Sequence, residues 1–275
     1  MSNPKISIVM ATRNRAHLIN QAIESVMGQN FKNWELIIAD GGSEDSTPKV
    51  VSEWQKKESR IVYERHEGND GISKNYNRAF LVARGEYIAM IDDDDPWLDR
   101  EKLDKQIKFL DGNPEYAGCG GGVVVVNPAG KELYRYLKPE TDGEIRKHML
   151  LSNPMANSTT MFRKSAAEKV GWYDESLWYS GDRDFWLKMG LIGKLYNFPE
   201  YFSYYTLGAH NTSIADIRPH LKTSFEVMRR YRNKYPRYYP ALFLNCAQYA
   251  YSFLPKSVRK IVHQSLARLK RMVVK

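Results

Sequence analysis

Gly85-Glu-Tyr-Ile-Ala-Met-Ile-Asp-Asp-Asp-Asp95 is the stretch whose reading decides the fold. The apolar run Tyr87 to Ile91 predicts a strand buried on both faces, and it stops at four adjacent carboxylates. Carboxylates so close repel one another, and a folded chain keeps them at a strand end when a cation or strong hydrogen bonds relieve the repulsion. On an extended backbone, side chains two apart point the same way, so Asp92 and Asp94 are expected on one face, gripping one divalent ion. Ligands that are all oxygen select Mg2+ or Mn2+, and such ions take one or two carboxylates plus substrate phosphates. The alternative is a solvated acidic loop; the buried strand in front of it favours the metal.

Upstream, the same unit recurs. Ile6 to Met10 is a short apolar run ending at Thr12, Arg13 and Asn14, with Leu18, Ala22, Ile23 and Val26 at helical spacing behind it. Glu35 to Ala39 ends at Asp40-Gly-Gly-Ser43 and precedes a helix over about Thr47 to Lys57. Ile61 to Tyr63 is a third strand, Ser73 to Ala83 a third helix, and Tyr87 to Ile91 the fourth strand. Strands alternating with helices predict a mostly parallel α/β sheet sandwiched by helices, with ligands beyond the strands' carboxyl ends. Thr12, Arg13, Asp40 and the Asp92 cluster should therefore gather along one sheet edge.

Downstream, Lys102 to Leu110 predicts a helix, Gly118 to Val126 a strand that extends the same sheet, and Asp182 to Met189 another helix. A length of 275 residues suits one large α/β domain with an appendage. With 43% hydrophobic and 27% charged residues and no Gly/Ser- or Pro-rich tract, disorder is not expected. Cys119 and Cys246 are too few for a disulfide framework and lack zinc-site spacing. No signal peptide is visible at the N-terminus, so the expected compartment is reducing and cytoplasmic.

Four segments taken together resemble the donor half of a family 2 glycosyltransferase of the GT-A, Rossmann-like fold: Ser7 to Asn14, Leu36 to Ser43, Asp70-Gly-Ile-Ser73 with Asn77, and Gly85 to Asp95. The resemblance spans about residues 5 to 215, divided into a nucleotide-sugar half (1–99) and an acceptor half (100–215). It implies an inverting enzyme that takes a sugar from a nucleoside-diphosphate donor, with UDP favoured, and uses Mn2+ or Mg2+. Thr12 and Asp40 would bracket the nucleoside, the Asp40 carboxylate accepting from the base. Asp70, Gly71 and Asn77 would line the donor pocket, joined by Asp92 and Asp93. Asp94, with Asp92, would hold the metal, and Asp94 is the likelier direct ligand. Charge and location place Arg13 and Lys74 near the phosphates.

Asn153-Pro154, Ser158 to Arg163, Val170 to Glu175 and Ser180-Gly-Asp-Arg-Asp-Phe-Trp-Leu187 resemble the family's acceptor half. There an Asp at the head of a helix deprotonates the incoming hydroxyl, which implies Asp182 as general base. The family usually places Glu before it, whereas this chain has Gly181. An N-cap carboxylate is the structural alternative for Asp182. His210 sits in a segment, Gly208 to Ser213, that resembles one folding over the diphosphate, where it would complete the metal shell or bond a phosphate; a structural histidine is the alternative. Ser158, Thr159, Trp178 and Asp95 are the expected acceptor contacts. Trp97 and Trp172 could also stack on sugars, and Trp186 falls at core spacing.

Charge is concentrated at the C-terminus. Residues 216–275 carry 14 Lys/Arg against Asp216 and Glu226, a net of +12, while residues 1–215 hold 27 Lys/Arg and 30 Asp/Glu, a net of −3. Val258, Ile261, Val262, Leu266, Leu269 and Met272 fall at helical spacing among Arg and Lys, which predicts a basic amphipathic helix. Residues 216–275 thus read as a basic helical C-terminal extension, suited to an anionic membrane surface and a glycan or lipid-linked acceptor, peripheral at the inner face of the membrane. Tyr238 to Leu254 is too interrupted for a membrane span and reads either as an interfacial segment or as a buried helical hairpin. A nucleic-acid binder rests on the tail alone, and a non-catalytic nucleotide- or glycan-binding module would not need both the aspartate cluster and Asp182.

Overall fold

Four strands form in the first hundred residues of the computed structural model, which describes residues 3–208 and 217–254. These are β1 (Ile6–Thr12), β2 (Trp34–Asp40), β3 (Ile61–Arg65) and β4 (Tyr87–Met90), separated by α1 (Ile19–Met27), α2 (Thr47–Lys57) and α3 (Ile72–Val82). Every residue of β1, β2 and β4 is buried, which is what their unbroken apolar character requires of central parallel strands. The order is β3-β2-β1-β4, all parallel, and the β1/β2 register sets Thr12 opposite Asp40. The strand ends that carry polar residues therefore share one edge.

The second half holds α4 (Lys102–Gly112), β5 (Tyr116–Val126), β6 (Glu132–Tyr136), α5 (Asp142–His148), β7 (Met161–Arg163), α6 (Lys164–Val170), α7 (Gly181–Ile192) and β8 (Lys194–Thr206). It extends the same sheet, as expected, but with mixed direction. β7 lies antiparallel between β4 and β5, β6 is antiparallel to β5, and β8 runs parallel to β5. Alternate residues of each strand feed opposite layers. Ile8, Ile38 and Tyr87 pack with Ile23 and Leu103 on one face, whereas Val9, Ile37 and Ile88 pack with Phe80, Phe162 and Trp186 on the other.

α8 (Ile217–Arg230) and α9 (Tyr238–Tyr251) follow. Val227, Met228, Tyr235, Ala241 and Leu244 belong to the same core as Phe185 and Trp186, and the Tyr235 hydroxyl donates to the Leu187 carbonyl at 2.7 Å. The segment expected to form a basic amphipathic helix, Lys256 to Met272, lies outside the described residues. Among the described residues, no helix is long and apolar enough to cross a membrane.

A buried polar knot fixes the entry to β4. Glu35 is 2% exposed; it accepts from Ser7 Oγ at 2.6 Å and from the Arg84 backbone and Nε at 2.8 Å, while Ser7 Oγ accepts from the Gly85 backbone at 2.8 Å. The chain passes so close to β1 that a Cβ on Gly85 would stand 2.4 Å from the Ser7 nitrogen and 2.7 Å from the Ile6 carbonyl carbon. Backbone cannot yield there as a flexible side chain would. Gly85→Ala is therefore expected to cost about 3 kcal/mol or more of folding free energy, read from urea denaturation.

Candidate active site

β4 ends at Met90, one residue earlier than its apolar run suggests, and the chain turns through the aspartates: the Asp95 amide donates to the Asp92 carbonyl at 3.2 Å. The four carboxylates consequently do not project from an extended strand, which corrects the premise that placed Asp92 and Asp94 together. Asp93 and Asp95 are still the buried pair, at 7% and 5% exposure, and Asp92 and Asp94 remain half-buried. Each buried carboxylate is met by donors. Thr12 Oγ1 donates to Asp93 Oδ2 at 2.6 Å, and the Thr206 amide donates to Asp95 Oδ1 at 3.1 Å.

Asp92 is held from three sides. Its Oδ1 accepts from the Tyr76 hydroxyl at 2.6 Å and from Asn157 Nδ2 at 2.8 Å, and its Oδ2 accepts from Ser158 Oγ at 2.7 Å. Asp94 meets a single charged partner at longer range, Arg15 Nη1 at 3.7 Å. Burial pushes Asp93 up to about 7, against its bond from Thr12 and with Asp94 and Asp92 adding negative charge. Burial likewise raises Asp94, with Asp92 next in effect and Arg15 opposing. A divalent cation fits this turn: the donors are all oxygen, the charge is in excess, and Asp94 is the carboxylate least committed to internal donors. Among the described residues no group of three His, Cys, Asp or Glu could hold an ion without help, so the remaining ligands would have to come from phosphates and water. His210 lies outside the described residues.

The turn opens onto a cleft of about 750 Å³. Thr12, Arg13, Arg15 and Gly41 form one wall, Asp70, Gly71 and Arg78 a second, and Asn153, Trp178 and Asp182 a third. Gly71 caps α3 at φ +90°, and a Cβ there would lie 3.1 Å from the Trp178 ring. The N-terminal turn of α3 lines the cleft, and a helix N-terminus is an end where anions are stabilised. Arg78 pairs with Asp70, and His66 approaches the same carboxylate at 3.0 Å. The Arg78 bond holds Asp70 below its ordinary value, with Lys74 adding positive charge.

Several expected positions are corrected. Asp40 has no exposed surface. Its Oδ1 accepts from the Ser43 amide and hydroxyl at 2.8 and 2.7 Å, and its Oδ2 accepts from the Tyr63 hydroxyl, so in this state it offers no oxygen to a base. Asn75, overlooked in the sequence, lies on the wall beside Gly41: its Nδ2 donates to the Ala39 carbonyl at 2.7 Å, and its buried Oδ1 has no hydrogen-bond partner. Asn77 turns away from the cleft and clasps the Tyr173 backbone, accepting from its amide and donating to its carbonyl, both at 3.0 Å. Lys74 is not on the cleft wall; Arg15 and Arg78 supply the cations there instead.

Ser158 and Thr159 reach the cleft floor, but their hydroxyls serve Asp92 and the Ala156 carbonyl, and Asp95 is engaged with Thr206. These three groups brace the acidic turn and are not free for an acceptor. The brace extends into the core: Trp97 Nε1 donates to the Ser158 carbonyl at 2.7 Å, and Gln106 Nε2 donates to the Thr159 carbonyl at 2.8 Å. Of the tryptophans considered for sugar stacking, Trp97 and Trp186 are buried and Trp172 stacks on Phe80, whereas Trp178 is 52% exposed on the wall.

Asp182 is the second residue of α7, not its cap. Ser180 occupies the cap with φ +58°, so the reading of Asp182 as an N-cap carboxylate falls away. The unusual Gly181 has a local reason, since a Cβ there would stand 2.5 Å from Ser73 Oγ. Burial raises the Asp182 carboxyl above its ordinary range; the Arg183 amide opposes this, Asp92 adds to it, and the bond from Asn153 Nδ2, 2.7 Å from Oδ2, opposes it again. Asn153 is itself oriented, because its Oδ1 accepts from the Met155 amide at 3.2 Å and its carbonyl from Lys138 Nζ at 2.9 Å. It is the functional candidate that the sequence reading quoted without assigning a role.

The sequence profile of "Glycosyl transferase family 2" matches residues 7–171. The chain belongs to this family. Among curated relatives, it is 32% identical over 192 residues to an uncharacterized glycosyltransferase of Methanocaldococcus jannaschii, covering 68% of this chain and 65% of the relative. It is 30% identical over 195 residues to the GalNAc(5)-diNAcBac-PP-undecaprenol beta-1,3-glucosyltransferase of Campylobacter jejuni, covering 68% and 60%. The match therefore spans less than two thirds of the length of either relative. Among solved structures, S. aureus TarS 1–349 in complex with UDP-GlcNAc superposes with a TM-score of 0.66 at 20% identity, covering 90% of this chain and 73% of that one. The Pyrobaculum calidifontis mannosyltransferase PcManGT with GDP-Man and Mn2+ gives 0.60 at 17% identity, covering 99% and 86%. The fold is the GT-A fold.

The raised Asp182 carboxyl carries a stability signature. The unfolded chain ionises this group more readily than the folded one, so above the folded pKa the charge opposes folding, and the penalty fades as pH falls toward the ordinary carboxylate value. Asp182→Asn is expected to melt no lower than the native protein at pH 7.5, with any advantage shrinking at pH 5, as read by calorimetry.

Proposed function

We propose that the chain is an inverting, metal-dependent glycosyltransferase that moves a sugar from a nucleoside-diphosphate donor, with UDP favoured, to a hydroxyl of a glycan or lipid-linked acceptor. The observation that carries this reading is a single cleft onto which an aspartate turn, an α3 N-terminus with arginines, and a half-buried, oriented carboxylate all open. Membership of glycosyl transferase family 2 supports the reaction class. The UDP-GlcNAc held by TarS and the undecaprenol-linked name of the Campylobacter relative support the donor and acceptor classes.

The donor diphosphate has its complement in Arg13, Arg15 and the N-terminal turn of α3. Thr12 and Asn75 line the cleft wall beside Gly41, where the nucleoside would lie. Asp182 takes the proton from the acceptor hydroxyl, whose oxygen forms the new bond at the anomeric carbon as the bond to the diphosphate oxygen breaks. One displacement from the opposite face inverts the centre, and no protein nucleophile is needed. Burial raises the basicity of Asp182, and Asn153, bonded to Oδ2, orients the carboxylate that receives the proton. Asp94, with Asp92, would hold Mn2+ or Mg2+, which would supply electrostatic stabilisation of the departing diphosphate. The Mn2+ in the Pyrobaculum neighbour supports that assignment.

A screen of nucleotide sugars for release of nucleoside diphosphate tests the reading. Turnover is expected with Mn2+, to vanish with chelator and return on adding Mn2+ back. Asp182→Asn should lose on the order of 100-fold or more in kcat, as removal of a general base does. Unchanged turnover in that variant rejects the mechanism.

The pH profile isolates Asn153. The rate should fall as pH drops through a value above the ordinary carboxylate range. Asn153→Ala removes a bond that favours the ionised base, so this acid limb should move to still higher pH. An acid limb in the same place in both enzymes would leave Asn153 with a structural part only.

A further inference from the structure

α9 contains no Lys, Arg, Asp or Glu, and it is apolar on two sides. Its inner side, Ala241 and Leu244 with Asn245, packs on α8, where Asn245 Nδ2 donates to the Leu221 carbonyl at 3.0 Å. Its outer side presents Tyr239 at 79% exposure and Phe243 at 66%, with Cys246 and Ala250 also exposed, and Phe253 at 60% continues the line just past the helix. Steps of four and three residues place these side chains on one stripe. The core already uses the inner side; on the stripe Phe253 meets the Tyr249 ring and Arg218, and Tyr239 meets the Tyr238 ring.

Cations bracket the stripe. Arg229, Arg232 and Lys234 are exposed in and after the last turn of α8, before α9 begins, and at the far end the Arg218 guanidinium lies 5.5 Å over the Phe253 ring. Beyond Leu254, the 21 residues to the C-terminus hold seven Lys/Arg and no Asp or Glu. We propose that this face of α9 docks on an anionic lipid surface, its rings entering the boundary between headgroups and acyl chains while the flanking cations meet lipid phosphates. A second copy of the chain suits the stripe less well, because it would bring together two segments each of net +12. The chain's own C-terminal segment is the other candidate, and the stripe has no carboxylate to hold its basic residues.

α8 links this face to the cleft. On one side His220 lines the cleft wall and Ser224 accepts from Arg183, and on another Leu221 supports α9. Docking would therefore set the cleft beside the membrane, where a lipid-linked acceptor is presented. That consequence rests on the transferase reading above; the docking itself does not.

The test uses the full chain and vesicles of phosphatidylglycerol with phosphatidylcholine, or of phosphatidylcholine alone. Cys246 sits on the stripe and Cys119 is buried, so a polarity-sensitive fluorophore can be attached at Cys246. The fluorophore should shift to the blue on anionic vesicles only. Phe243→Gln combined with Phe253→Gln should weaken co-sedimentation with anionic vesicles by at least about tenfold, with melting temperature and sedimentation coefficient unchanged. Four results overturn the proposal: no binding by the native chain; equal binding by the double variant; a variant that changes oligomeric state and leaves vesicle binding intact; or a fluorophore already blue-shifted without lipid that reddens when residues 255–275 are deleted. Turnover of a soluble acceptor in the same preparations separates the two readings. Turnover without vesicle binding defeats docking alone, and vesicle binding without turnover defeats the transferase alone.

Discussion

Four carboxylates in consecutive positions repel one another, and the architecture around β4 is organised to contain that repulsion. Thr12 comes from the neighbouring strand, Tyr76 from α3, Asn157 and Ser158 from the turn before β7, and Thr206 from the end of β8. Four separate segments thus converge on one turn, and together they contribute five donor residues. The convergence is also what forms the cleft, because the elements that meet the aspartates are its walls and floor. Internal donors are fewest at Asp94, and that inequality makes the turn selective about where a cation would sit.

On the opposite side of the cleft the requirement is reversed. In the proposed mechanism Asp182 needs enough burial to be a useful base and enough support to ionise. The core beneath α7, built from Phe185, Trp186 and Leu187, anchors the helix, and a glycine at position 181 lets its start approach α3. Asn153 then supplies one directed bond to one carboxylate oxygen. Packing fixes the position and a single amide fixes the orientation, a division of labour that does not depend on an acidic neighbour before the base.

The helical pair at the C-terminal end of the described residues joins these demands to the surface. α8 contributes to the core through Val227 and Met228 and to the cleft through His220, while α9 covers α8 and leaves an aromatic stripe outside. None of that stripe's exposed rings belongs to the core. A helix hydrophobic on both sides, bounded by cations, is unusual in a chain whose other helices, such as α2 and α4, bury one side and charge the other.

The sequence by itself determined the strand and helix alternation, the parallel direction of the strands in the first sheet half, the edge where Thr12 and the aspartates meet, and the helix carrying Asp182. These are consequences of local periodicity, of polar residues punctuating apolar runs, and of a set of motifs in family order. Tertiary structure alone decided how each polar side chain spends its hydrogen bonds. Asp40 and Asn77 have the chemistry of ligands, yet their partners, Ser43, Tyr63 and the Tyr173 backbone, arrive through loop geometry and long-range packing. Asn75 and Asn153 gained their places the same way. The mixed direction of β7 and the incorporation of α8 and α9 into the main core also depend on contacts between segments far apart in sequence, such as Ile88 with Phe162 and Leu187 with Tyr235. Hydrophobic pattern records which face of an element is buried; it does not record against what.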